Sequence, residues 1–398
     1  MSRKKVLIVH NYYQIPGGED SVVENEKNLL LDNGHEVILY TRHNDEIKSR
    51  GILGKLILPF ETIFSIKTYK DIKRKIKEEN IDIVHVHNTL PLVSPSVYYS
   101  AIHCKIPVIQ TIHNFRLLCP GATFTRENKI CEDCIDSSLV CSIKNRCYRG
   151  SLIQSIVSAL TLKVHRLIGS YDKVSGYIAL TEFNKKKLMK LIKEEKIFIK
   201  PNFIKRNIST ELENGNKNYF LFLGRIDELK GIKVLLESWK EIKNSELLIV
   251  GKGPLENYVK GYIEKNNIDN VKLLGFKKHS EVMDIIKNSK ALIVPSQWYE
   301  GFPMTIVESL ALGVPVIASD IGNLSTIIIN RENGLLFKYD DAEELKEKIL
   351  EIQSNDKLLN KLSNGANKSY TEKYNEDLNY RVLMNIYEEC YRRLNENL

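Results

Sequence analysis

Two kinds of hydrophobic pattern alternate along the chain. Short, continuous apolar runs with no polar alternation occur at Lys5–Val9, Val37–Tyr40, Ile83–Val86, Val108–Ile112, Gly176–Leu180 and Ile197–Ile199. Such runs suit strands covered on both faces, as in parallel sheets. Between them lie segments with apolar residues three and four apart, which predict amphipathic helices. These are about Gly18–Asn33, stopped by Gly34, then Lys70–Glu79, Leu152–Ile168 and Phe183–Ile192. Pro201–Lys217 is polar, Asn-rich and without clean periodicity, so it predicts a linker. The cycle then restarts. Strands are expected at Tyr219–Leu223, Leu247–Val250, Val271–Leu274, Ala291–Val294 and Val314–Ile317. Helices are expected at Ile232–Lys240, Leu255–Lys265, Glu281–Ile286 and Pro303–Leu312, followed by a charged helical tail from Ala342.

Strand–helix alternation implies an α/β fold with parallel sheets and right-handed crossovers. Two blocks imply two Rossmann-like domains facing across a cleft. The expected boundaries are 1–200, a linker at 201–217, and 218–372, with a C-terminal helix in 373–398 packing back on the first domain. Ligands of such sheets bind beyond the carboxyl ends of the strands, and the chemistry-bearing motifs fall there.

With 398 residues, 43% hydrophobic and 27% charged, the chain has the bulk of two soluble domains. No apolar run is long enough to span a bilayer and no signal peptide is recognisable, so a cytoplasmic placement is expected. Charge is divided unevenly. Residues 1–200 hold 31 Lys+Arg against 21 Asp+Glu, whereas residues 201–398 hold 27 against 29. A basic first half suits an anionic partner. Basic stretches interleaved with aromatics are lacking, which argues against nucleic acid. Gly51–Phe64 is apolar and carries Lys55, so it can lie on a membrane surface, although a core helix has the same pattern. A peripheral location on the inner face of the plasma membrane follows from the first alternative.

The most informative stretch is Glu300-Gly301-Phe302-Pro303-Met304-Thr305-Ile306-Val307-Glu308. It follows an expected strand and opens a helix, where free backbone N–H groups and the helix dipole favour an anion. Pro303 suits the first turn, since its missing N–H is not needed there. The two carboxylates can accept hydrogen bonds from hydroxyls on either side of a diphosphate. Gly224-Arg225-Ile226-Asp227-Glu228-Leu229-Lys230-Gly231 follows another strand and places two cations at a helix entrance, a chemical diphosphate clamp. Gly17-Gly18-Glu19 and Gly251-Lys252-Gly253-Pro254 allow close backbone approach to a ligand, although either can be a plain turn. His113 ends the Val108–Ile112 strand, where it can meet a sugar hydroxyl. His85 and His87 read as buried structural histidines.

Taken together, Gly224-Arg225 with Lys230-Gly231, Gly251 with Gly253-Pro254, and Glu300 to Pro303 with Glu308 resemble the retaining nucleotide-sugar glycosyltransferases of glycosyltransferase family four. Gly17-Gly18-Glu19 and Thr111-Ile112-His113 extend the resemblance over almost the whole chain. It implies a GT-B fold and a UDP- or GDP-sugar donor held by the C-terminal domain. Arg225 and Lys230 would bind the diphosphate, Glu308 the ribose and Glu300 the sugar hydroxyls. By the same resemblance, the backbone of Phe302, Pro303, Met304 and Thr305 would add phosphate contacts through its N–H groups. Gly17 and Gly18 would pack against the diphosphate region, and His113 near the transferred sugar. The resemblance also implies front-face attack assisted by the leaving phosphate, with no catalytic cofactor. Asp-x-Asp is absent from the sequence, in keeping with metal-independent transfer. The acceptor expected is a lipid-linked glycan in cell-surface polysaccharide or glycolipid synthesis. Alternative readings are a sugar-nucleotide epimerase of the same architecture and a non-catalytic nucleotide-sugar-binding protein. The chain departs from the family at Pro201-Asn202-Phe203-Ile204, where Pro-Asn-Gly is frequent, and at Asn114, where Asp is common.

Five of seven cysteines fall between Cys119 and Cys147. Cys131-x-x-Cys134 has zinc-knuckle spacing, and Cys119 and Cys147 complete a possible set of four ligands for a structural zinc. Free thiols packed in a loop, or a redox-sensitive pair, are the alternatives.

Overall fold

The computed structural model describes residues 3–14, 17–205 and 218–396. Most of the expected linker, 206–217, lies outside the described residues; Pro201–Lys205 has no regular structure. The chain divides into two compact units. One comprises 1–124, 132–201 and 376–398, the other 125–131 and 202–375.

The first unit is built on a six-stranded sheet. Its elements are β1 (Lys5–Tyr12), α1 (Gly18–Asp32), β2 (Glu36–His43), α2 (Ile52–Ile63), α3 (Ile66–Glu78), β3 (Ile83–Val86), α4 (Ser96–His103), β4 (Val108–Ile112), α5 (Leu152–Leu167), β5 (Gly176–Ala179), α6 (Glu182–Leu188) and β6 (Ile197–Ile199). All paired strands are parallel, in the order β2-β1-β3-β4-β5-β6. Both faces are covered, which is why the strands read as continuous apolar runs. On one face Leu7, Val9, Val84, Val86 and Val108 pack with Ile72, Ile76, Val97 and Leu162 of the helices. On the other, Val6, Ile8, Ile83, Ile109 and Ile178 meet Val23 and Leu30 of α1 and Leu383, Met384, Ile386, Tyr387 and Cys390 of the last helix, Glu376–Glu396. The chain therefore returns over some 180 residues to finish its first core.

The second unit repeats the plan with β7 (Tyr219–Leu223), α7 (Ile232–Trp239), β8 (Glu246–Val250), α8 (Glu256–Lys265), β9 (Val271–Gly275), α9 (His279–Lys287), β10 (Ser289–Val294), α10 (Met304–Ala311), β11 (Val316–Ser319), β12 (Gly334–Phe337), α11 (Ala342–Ser354) and α12 (Asp356–Ser369). The parallel order is β9-β8-β7-β10-β11-β12. Between β7 and β10 the direction of strand addition reverses, the place where ligand crevices open in these sheets. The hairpin strands Thr125–Arg126 and Lys129–Ile130 group with this unit, whereas the sequence reading kept all of 119–147 in the first. Strand β12 and helix α4 were not anticipated. Among the described residues no helix is long and apolar enough to cross a membrane.

Candidate active site

In the second unit, the loops after the neighbouring strands β7 and β10 converge. The Gln297 N–H donates to the Leu229 carbonyl at 2.8 Å. Gly231, at φ +73°, presses so close that a Cβ there would lie 1.7 Å from the Pro295 carbonyl oxygen. The loop after β8 joins them: a Cβ at Gly251, φ +140°, would lie 1.9 Å from the Gly224 carbonyl oxygen. Gly253 passes as tightly over Ile226. Only glycine permits these backbone approaches, so the glycines of the sequence motifs hold three strand-end loops together.

On this frame the Lys230 ammonium donates to Glu300 Oε1 at 2.8 Å. Ser296 Oγ and Trp298 Nε1 donate to the same oxygen at 2.6 and 2.9 Å. Lys230 also sits 5.8 Å from the Trp298 ring centroid. Glu300 is only 5% exposed, yet its Oε2 takes no hydrogen bond from the described residues. The two predicted cations are thus not a bare clamp. Lys230 is held by Glu300, and Arg225, two-thirds exposed, is paired with Asp227. Asp227 in turn accepts from the Lys230 backbone N–H at 2.9 Å. A carboxylate steers each cation while leaving it N–H groups for a second, anionic partner.

The loop before α10 is pinned by the buried Asn323, which donates to the carbonyls of Gly301 (2.7 Å) and Glu300. Phe302 is buried against the Tyr374 ring, with centroids 6.0 Å apart. Pro303 is the extended N-cap residue of α10 rather than its first helical residue, and Met304 and Thr305 form the first turn. Glu308, one turn further, is raised in pKa by burial, against a smaller opposing effect of His279, whose Nδ1 is 3.9 Å away. Sequence reasoning missed Ser296, Trp298, Asn323 and His279. All four follow a strand of this sheet within a few residues, the one signal that could have drawn attention to them.

In the first unit, the carboxyl ends of β1, β3 and β4 bring four histidines together. The rings of His85 and His87 stack at 4.6 Å, and those of His87 and His113 at 5.2 Å. His87 Nδ1 lies 2.9 Å from His113 Nε2. Beneath them the fully buried Glu26 of α1 accepts from Lys200 Nζ at 2.8 Å, and its other oxygen lies 2.8 Å from His85 Nδ1 and 3.5 Å from His87 Nε2, while His85 Nδ1 has its hydrogen bond with the Tyr387 hydroxyl at 2.7 Å. Burial alone would push the Glu26 carboxyl up; Lys200 and His85 outweigh it and hold the group well below the usual range. His87 is lowered to about 4 by burial and by His85, and His113 is lowered by burial and by His87. Both imidazoles are therefore neutral near pH 7. One hydrogen bond joins His87 Nδ1 to His113 Nε2, with the tautomer deciding which ring donates. His85 and His87 are buried as expected, but His87 also sets the orientation of His113. Although Glu26, His85 and His87 bring their ligand atoms within 4.8 Å of one another, the Lys200 ammonium already occupies the cationic role there.

The Gly17-Gly18-Glu19 turn caps α1. Asp20 ties it to β1 by accepting from Gly17 N at 2.9 Å and meeting His10 Nε2 at 2.8 Å. A Cβ at Gly17 would meet nothing within 4 Å, so the folded chain itself makes no use of the missing side chain. Glu19 is pushed up to about 8 by burial and by Asp20, with Arg116 opposing. Cys119 and Cys147 flank Gly121, and Cys134 is pushed up to about 12 by burial and by the Cys119 and Cys147 thiols.

Residues 16–207 match the family described as Glycosyltransferase Family 4, and residues 203–369 that described as Glycosyl transferases group 1. The chain belongs to glycosyltransferase family four. An uncharacterized family relative from Methanocaldococcus jannaschii is 28% identical over 97% of this chain and 98% of its own. The phosphatidyl-myo-inositol mannosyltransferase of Mycolicibacterium smegmatis is 23% identical, covering 87% and 83%. Among solved structures, HepE of Anabaena in complex with UDP superposes with a TM-score of 0.65 at 14% identity, over 96% and 98% of the two chains. The fold is the GT-B fold of the family, two Rossmann-like α/β domains.

Proposed function

We propose that this glycosyltransferase moves a sugar from a UDP- or GDP-sugar to a lipid-linked glycan acceptor, with retention of configuration and without a metal. The observation that carries the reading is the Lys230–Glu300 pair at the strand-order reversal, with Glu300 Oε2 open. As the sugar–phosphate bond breaks, negative charge grows on the diphosphate. Lys230, Arg225 and the start of α10 oppose that charge, which is where fixed donors accelerate such a step most. Glu300 Oε2 accepts a sugar hydroxyl, and Glu308 serves the ribose hydroxyls. Glu300 is poorly suited to be a nucleophile, because three donors already hold its other oxygen. The acceptor hydroxyl therefore attacks from the face the phosphate leaves, and the phosphate takes the proton. Gly17, Gly18, Glu19 and His113 are assigned to the same donor. An anionic membrane surface is the proposed meeting place with the acceptor, supported by Ile52, Leu53, Leu56 and Phe60 of α2, each well over half exposed. The UDP in the HepE complex supports a nucleotide in this fold, and the name of the mycobacterial relative a lipid acceptor.

A panel of UDP-, GDP- and ADP-sugars, assayed for binding and turnover with and without EDTA, tests the reading. Lys230→Ala is expected to lower turnover about 100- to 1,000-fold. Binding of no nucleotide sugar, or full activity of Lys230→Ala, would sink the donor assignment. An inverted anomeric product by NMR would sink retention.

A further inference from the structure

A cavity of about 280 Å³ opens in the first unit between α2 and α5. Its walls are mostly apolar, with Leu58 and Pro59 of α2 facing Ile153 and Val157 of α5. Three cations also line it: Lys55, Arg116 and Arg149. None of the three has an ion-pair partner within 4.0 Å among the described residues, and the lining includes no Asp or Glu. Elsewhere this unit pairs its cations freely, as in Arg50–Glu61 and Lys187–Glu132. Arg116 and Arg149 both stand over the Tyr148 ring, with guanidinium carbons 4.9 and 5.6 Å from its centroid. Arg116 Nε is buried and has no acceptor. Burying a guanidinium donor unpaired is costly, so the arrangement is built for an anion that supplies acceptors. Glu19, the carboxyl that feels Arg116, is held protonated near neutral pH and does not neutralise it.

The apolar walls run on to the outside. Ile52, Leu53, Leu56, Ile57 and Phe60 on α2, and Ile153 on α5, are between 51% and 81% exposed. Leu152, Ile156 and Leu160 widen the same face to 40–47% exposure. An apolar patch of this extent marks an interaction surface. The half-buried Arg116 and the exposed Lys55 and Arg149, lining an apolar cavity that opens on an apolar face, select an amphiphilic anion: phosphate oxygens on the cations and hydrocarbon along the helices.

We propose that the α2–α5 cavity binds the phosphate or diphosphate of the lipid-linked acceptor, with its hydrocarbon laid along the exposed faces of α2 and α5 into an anionic bilayer surface. This deepens the acceptor reading above and rests on it for biological meaning. The alternative source of the same chemistry is the headgroup of a bulk anionic phospholipid.

Calorimetry with farnesyl diphosphate and with inorganic diphosphate, in the absence of any nucleotide sugar, tests the cavity alone. Failure of the donor assignment therefore leaves this measurement untouched, and its own failure leaves donor turnover untouched. Farnesyl diphosphate is expected to bind, and inorganic diphosphate to bind at least about tenfold more weakly, because the apolar walls contribute. Arg149→Gln and Lys55→Gln, both at solvent-accessible positions, are each expected to weaken farnesyl diphosphate about ten- to a hundredfold. Flotation with neutral phosphatidylcholine vesicles, plain, doped with a polyprenyl diphosphate, or doped with phosphatidylglycerol, separates the two sources. The diphosphate-doped vesicles should recruit the protein best, and Arg149→Gln should abolish that preference. Absent binding of farnesyl diphosphate, equal binding of inorganic diphosphate, or unchanged binding by both variants overturns the proposal. Recruitment by phosphatidylglycerol that matches the diphosphate lipid and is lost in Arg149→Gln overturns it in favour of a headgroup site.

Discussion

Replacing Glu26 by Gln is the sharpest test of how the first unit holds its histidines. Glu26 is fully buried, and its two oxygens face the Lys200 ammonium and two imidazoles. Lys200 is itself 1% exposed, and its further partner is the Asn379 side-chain oxygen at 3.0 Å, on the last helix. The amide keeps the shape of the site but removes its negative charge, leaving an ammonium in the core. Breaking a buried pair in this way costs about 3–5 kcal/mol. Hydrogen exchange read by mass spectrometry can resolve the effect by segment, without assuming that both units unfold together. Amides of Ile83–Val86 and of Glu376–Cys390 should exchange roughly 100- to 3,000-fold faster, while those of β7 to β11 stay as they were. Adding Lys200→Met should restore most of the protection, because exchanging both partners for neutral groups is often neutral or stabilising. A change below about 1 kcal/mol for Glu26→Gln, the value of an exposed pair, would refute the argument that the ion pair is a buried keystone.

Other expectations follow from single positions. Gly251→Ala puts a methyl into the Gly224 carbonyl at a positive φ, so it should cost at least about 1–3 kcal/mol. Fluorescence melting reports it directly, since Trp239 and Trp298 both lie in the second unit; an unchanged midpoint would contradict the close packing of the loops. Glu19 has its carboxyl raised from 4.5 to about 8, so the folded state holds a proton that the unfolded state has released. Stability should therefore fall as pH rises from about 4.5 to 8, by up to about 1.4 kcal/mol per pH unit, and Glu19→Gln should flatten that slope. Equal slopes in urea titrations across this range would contradict the burial of Glu19. Finally, if Cys119, Cys131, Cys134 and Cys147 hold a structural zinc, reduced protein purified without chelator should carry one zinc per chain by elemental analysis. A trace content under those conditions excludes the four-ligand reading.

The architecture was legible because parallel strands covered on both faces need uninterrupted apolar residues, and Val6–Val9 or Ala291–Val294 have few other uses. Strand β12 escaped notice because Gly334-Leu335-Leu336-Phe337 is too short to show a period. Helix α4 escaped for the opposite reason: Ser96, Val97, Tyr98, Ser100 and Ala101 are all buried, so no polar stripe marks its turns. For α2 the pattern was ambiguous in principle. A helix that shows its apolar side to the outside has the same spacing as one that shows it to a core, and only the exposure of Ile52 and Phe60 separates them. The strand-end motifs located the candidate site, yet not its wiring. Lys230 and Glu300 stand 70 positions apart and His87 and His113 stand 26 apart, and which side chain meets which depends on the packing of loops rather than on spacing.

The last helix also bears on how the molecule comes into being. Ribosomal synthesis runs from the N-terminus, and β6, the final strand of the first sheet, is complete at Ile199. The helix that covers Val6, Ile8, Ile83, Ile109 and Ile178 starts only at Glu376. At about 5–20 residues per second, the sheet waits roughly 10–35 s with one flank unsealed while the whole second unit is made. Birth order and folding order are therefore inverted in this chain: the half that is translated first is the half that can finish only last.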